Sequence, residues 1–86
     1  MTDTPDRLKR LIYRSRYTGT KETDTLLGAF AERLLPTLTA AQLDTYERLL
    51  EAGDSDLYMW ISRRKPVPEA WDSDVMALLQ DFKVTP

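Results

Sequence analysis

Apolar residues recur along this chain at helical spacing and nowhere in the alternation of a half-buried strand. Five segments carry the pattern. In the first, Leu8, Leu11 and Ile12 fall at i, i+3 and i+4 behind "TPD". There Thr4 suits a cap, Pro5 the first helical position and Asp6 the N-terminal dipole. The second segment starts near Thr20 or Lys21 and puts Leu27, Phe30, Ala31 and Leu34 on one face. Pro36 ends it, because its ring clashes with the preceding turn. Gly28 lies inside this helix at a cost of about 1 kcal/mol relative to Ala, which predicts a close helix crossing.

The third segment opens on "TAAQ", Thr39 to Gln42, a capping box. Leu43, Tyr46 and Leu50 face inward, with Leu49 beside them, and Gly53 suits a left-handed C-terminal cap. Asp54 or Ser55 caps a short fourth helix with the stripe Leu57, Trp60 and Ile61. Its end, "SRRKP", places Arg63, Arg64 and Lys65 where cations complement the dipole. Pro66 and Pro68 stiffen the connector to a fifth helix, whose face is Val75, Leu78, Leu79 and Phe82. The closing "KVTP" is expected to fray. Phe30, Tyr46, Trp60 and Phe82 fall on core stripes and read as core. The reading is all-α: a single domain over residues 1–86, a small bundle of five helices.

Composition narrows the chemistry. The chain has 86 residues, 42% hydrophobic and 30% charged, ordinary for one soluble domain. No apolar run approaches the ~20 residues of a membrane span, and the N-terminus lacks a signal-peptide core. These features point to the cytoplasm, with no membrane partner. Cysteine and histidine are both absent. That removes disulfides, thiolate chemistry, most zinc sites, most catalytic triads and self-attachment of a flavin through His or Cys. No metal site and no catalytic centre emerge, so the chain does not read as an enzyme.

Charge is uneven. Arg7, Lys9, Arg10, Arg14, Arg16 and Lys21 face only Asp3 and Asp6 within residues 1–21, a net +4, while residues 22–86 carry six basic and twelve acidic side chains, a net −6. The first helix is then either a solvated face or a handle for an acidic partner. It leads into "SRYTGTKETD", residues 15–24, a polar corner hinged on Gly19. Glycine permits positive φ or close approach of another backbone. Glu22 is favourable in the first turn of a helix and also suits recognition, as do Arg14, Arg16, Tyr17, Lys21 and Asp24 around it.

These residues carry a resemblance. "LIYRSRYTGTKETDTLLGAFAERLL", "YERLLEAGDSDLYMWI", "KPVP" and "DVMALLQDF" are together similar to the succinate dehydrogenase assembly factors, the SdhE-type flavinylation factors, from about Leu8 to Phe82. The resemblance implies a five-helix bundle and a bacterial cytoplasmic chaperone that is not an enzyme. It implies binding to the flavoprotein subunit of succinate dehydrogenase, with the fumarate reductase flavoprotein open as a second client. It implies promotion of covalent FAD attachment to a histidine of that subunit. FAD is then the client's cofactor; none is bound covalently here, and direct contact with it stays open.

The family motif Arg-Gly-x-x-Glu falls on Gly19 and Glu22, but its Arg position holds Thr18. Arg has a planar five-donor fork, and Thr has one hydroxyl. Either Arg16 or Lys21 supplies the charge, or the partner surface has changed to match, or the chain is a weakened homologue. The implied partner-binding set is Gly19, Glu22, Thr18, Tyr17 and Arg16. Two other readings stand beside it: a small nucleic-acid-binding module, favoured by the basic first helix and opposed by the net charge of −2, and a generic helical adaptor. Oligomeric state is open, with the Met59 and Met76 faces exposed or paired.

Overall fold

In a computed structural model, described over residues 4–82, the chain folds into five α-helices with no strand among the described residues. They are α1 (Thr4–Arg16), α2 (Lys21–Leu34), α3 (Ala40–Leu50), α4 (Asp54–Ile61) and α5 (Asp74–Asp81). Two 3-10 turns join them, Leu35–Thr37 after α2 and Glu69–Trp71 before α5. The capping roles expected of Thr4 and Pro5, and the fraying of "KVTP", lie outside the described residues or side chains.

The helix signals act as local chemistry requires. Thr20 caps α2: its hydroxyl accepts from the Thr23 amide and donates to the Thr23 hydroxyl at 2.8 Å. Both halves of the Thr39–Gln42 capping box are made, at 3.0 and 3.1 Å. Ser73 caps α5 through the Met76 amide. Two expectations shift at Gly53. It lies at the N-terminal boundary of α4 with φ 99° and ψ 144°, not in the left-handed helical conformation, and Asp54 is already the first helical residue. The left-handed position falls on Arg63, φ 65°, just after α4. There the Arg63 amide reaches the Trp60 carbonyl and the Arg64 amide the Met59 carbonyl, a Schellman closure.

α1 and α2 form the most extensively packed pair, and α3, α4 and α5 close over them. A Cβ added at Gly28 would lie 3.2 Å from the Arg16 Cγ, so the expected close crossing is where the end of α1 meets α2. The core gathers Leu11, Leu27, Phe30, Leu35, Tyr46, Leu57, Trp60 and Leu79 from every helix and the first 3-10 turn. Phe30 stacks on Tyr46 at 5.6 Å and meets Phe82 edge-on at 5.4 Å. Three core assignments change. Leu49, not Leu50, is the buried member of its pair. On α5, Met76 is 1% exposed whereas Leu78 is 38% exposed: the buried arc runs through Val75, Met76 and Leu79, one side of the expected stripe. Met76 is therefore spent in the chain's own core and leaves no face for pairing.

Candidate functional site

The corner consists of Tyr17 to Thr20, the link between α1 and α2. Its shape is held from one place. The Asp24 carboxylate, one turn into α2, accepts the Thr18 amide at 2.5 Å and the Thr18 hydroxyl at 2.6 Å through the same oxygen. The Gly19 amide adds to these bonds, and together they hold the Asp24 carboxyl below its ordinary value, chiefly through the Thr18 hydroxyl. Gly19 sits at the apex with φ 132°, a conformation that side chains rarely adopt. The apex is exposed and bare.

The five residues singled out from sequence do not form one patch. Glu22 is exposed and makes no side-chain hydrogen bond or ion pair among the described residues. With Lys21 it stands at one end of a groove of about 530 Å³ whose other walls include Leu26, Tyr58, Ile61 and Phe82. Tyr17 and Thr18 border a different hollow of about 230 Å³, reaching Leu50, Gly53 and Leu57. Tyr17 is 67% exposed and lies against Tyr13, centroids 4.7 Å apart, so α1 presents a tyrosine pair beside the corner. Arg16 turns away to pair with Glu32 on α2.

Charge pairing redraws the basic arm. Arg7 bonds both Asp44 and Glu47 on α3, and Arg14 stands 3.9 Å from Glu47. Lys9, Arg10 and Lys21 keep exposed cations with no ion pair among the described residues. Thr18 spends its donors inward on Asp24, and Arg16 is engaged by Glu32. Lys21 is the corner's unpaired cation.

Asp24 is the functional-site residue whose part the sequence did not announce. Thr18 and Asp24 are six residues apart, a spacing that follows no helical periodicity because the turn between them is irregular. A short polar side chain before Gly and an acid in the first turn of the next helix are the signals that mark such a clasp.

Among the described residues no group of acidic, His or Cys side chains gathers to hold a metal, and no helix is long and apolar enough to cross a membrane. The described residues thus form a five-helix domain with a bare, glycine-hinged corner beside two open concavities. Residues 9–83 match the profile of a family described as flavinator of succinate dehydrogenase, and the chain belongs to that family. It is 46% identical over 77 residues to a mitochondrial succinate dehydrogenase assembly factor 2 of Candida glabrata, covering 85% of this chain and 50% of that protein. A protein of the same name from Danio rerio is 40% identical over 76 residues, 86% of this chain and 48% of its own. One from Mycosarcoma maydis is 46% identical over 65 residues, 76% and 27%. The chain thus spans about half the length, or less, of these relatives. They are mitochondrial by name and lend no support to the bacterial cytoplasm expected from sequence.

Proposed function

We propose that this protein is an assembly chaperone that binds the flavoprotein subunit of succinate dehydrogenase and promotes covalent attachment of FAD to it. The observation that carries the reading is the corner itself. Gly19 offers an apex with no side chain, and Glu22 stands one turn on, exposed and unpaired, at the mouth of the groove. A flat backbone apex lets a partner surface come close, and a carboxylate fixed on a helix gives it one directional acceptor.

The chain works by differential binding. It favours the client conformation in which flavin and acceptor side chain are aligned and water is excluded. In this reading FAD and its bond-making belong to the client, which suits a chain with neither His nor Cys. Chaperone action rather than catalysis follows from this division.

The test is co-expression with the flavoprotein subunit in a host lacking its own assembly factor, with the denatured subunit scanned for covalent flavin fluorescence. The wild-type chain restores the band. Glu22→Ala lowers flavinylation about tenfold or more, the scale of a lost charge-assisted contact. Gly19→Arg abolishes it with an unchanged far-UV spectrum. A stable client with no band from wild type overturns this reading, and a full band from Gly19→Arg overturns the placing of its site at the corner. The fumarate reductase flavoprotein, run in parallel, defines the client range.

A further inference from the structure

The groove beside Glu22 has a composition of its own. Leu26 from α2, Ile61 from α4 and Phe82 after α5 give it an apolar floor, and Tyr58 closes one wall. Cations stand on it and beside its aromatic walls. Lys21 stands at the corner end. The Arg64 guanidinium lies 5.9 Å from the centre of the Tyr58 ring, and that of Arg33 lies 5.9 Å from the centre of the Phe82 ring. None of the three has an ion-pair partner among the described residues, and Glu22 is the acidic residue of the lining. Arg63, by contrast, is already matched to Asp81. An apolar floor with Lys21 on it and Arg33 and Arg64 beside its aromatic walls suits an occupant with a bulky apolar side chain flanked by carboxylates.

Resting on the function proposed above, we propose that this groove receives an acidic segment of the client flavoprotein, anchored by one aliphatic or aromatic side chain. The corner then gives close approach, and the groove selects what lies next to it. Lys21 serves both: its stem borders the groove and its ammonium faces the incoming carboxylates.

The experiment measures affinity between the purified full chain and the purified flavoprotein subunit across a salt series. Thr25→Trp and Ser62→Trp fill the groove from opposite walls at exposed positions. Each is expected to weaken binding about tenfold or more with an unchanged melting temperature, the scale on which blocking an anchor pocket acts. Lys21→Glu is expected to weaken binding and flatten its salt dependence. Overlapping synthetic peptides of the client, added to ¹⁵N-labelled chain, are expected to yield an acidic, apolar-centred peptide that shifts the Leu26, Ile61 and Ser62 amides.

The outcomes separate the two readings. Should wild type and both tryptophan variants bind the subunit equally while Gly19→Arg does not, the groove assignment falls and the chaperone reading stands. Should wild type not bind the subunit at all, both fall. If residues 83–86, which follow Phe82, give nuclear Overhauser contacts to the groove floor that the client does not displace, the groove seats the chain's own terminus and the proposal is overturned.

Discussion

Among the described residues, Ser15 and Tyr46 form a buried side-chain hydrogen bond inside the core. The Tyr46 hydroxyl donates to Ser15 at 2.5 Å, and Ser15 donates in turn to the Leu11 carbonyl at 2.7 Å. Burial pushes the Tyr46 phenol up to about 12, so it stays neutral and donating through the physiological range. The two ends of this relay are not equivalent. Tyr46→Phe removes a donor and leaves Ser15 still bonded to the carbonyl, a loss of about 1 kcal/mol. Ser15→Ala strands a buried phenol and costs about 1–3 kcal/mol. Urea denaturation of the two variants is expected to show Ser15→Ala as the less stable. Asp24 gives a second residue-scale prediction. Its folded-state pKa is depressed, so its clasp contributes stability above the ordinary carboxylate value and loses it as pH falls through the folded one. Wild type is therefore expected to melt above Asp24→Asn at pH 7, with the gap closing below about pH 4. A gap independent of pH shows that the clasp does not depend on the charge.

The element scale shows what the sequence made legible and why the rest stayed hidden. The starts of α2 and α3 are plain, because Thr20 and Thr39 act through bonds to amides three residues on, a relation visible in one dimension; Ser73 caps α5 in the same way but is not singled out by the sequence pattern. Stripes were plain in α2, where fourteen residues give several turns to average over. In α5, with eight, Met76 and Leu78 flank Val75 and Leu79 on opposite sides, and two turns are too few to tell which side is buried. The 3-10 turns gave no periodic signal, and Trp71, packed 5.6 Å from Trp60 and under Arg48, was not anticipated as part of the fold's edge. The end of α4 was read as dipole complementation by three cations. The structure adds backbone strain there, since Arg63 holds a left-handed conformation that glycine adopts freely. Arg63→Gly is expected to stabilise the fold by about 1 kcal/mol, because the exposed Asp81 pair it forfeits is worth little. A rise of about 4–8 °C in melting temperature checks this.

Across the whole molecule, the sequence reads as a basic arm on an acidic body, and the fold largely cancels that contrast. α1 lies against the acids of α3 and α2, so Arg7, Arg14 and Arg16 meet Asp44, Glu47 and Glu32. Linear charge is a poor guide here because the fold brings distant runs of the chain together. A duplex-DNA ligand needs several unpaired cations along one track, and its binding falls steeply with salt. Retention on duplex DNA is expected to be absent at physiological salt. Strong, steeply salt-dependent retention there restores the nucleic-acid reading. The candidate corner was legible as a location, from Gly19 and the polar run around it. Its internal division was not. Glu22 and Tyr17 serve different concavities, and only the three-dimensional path of the turn separates them.

The Thr18–Asp24 clasp has a consequence in time and in modularity. It closes between residues six apart, well inside the range where chain segments meet in about 10–100 ns. The clasp's hydrogen bonds thus draw on no residue of α3, α4 or α5. By the same logic the eight residues from Tyr17 to Asp24 form a portable cassette. Grafted between the helices of another hairpin, they carry their own conformation with them.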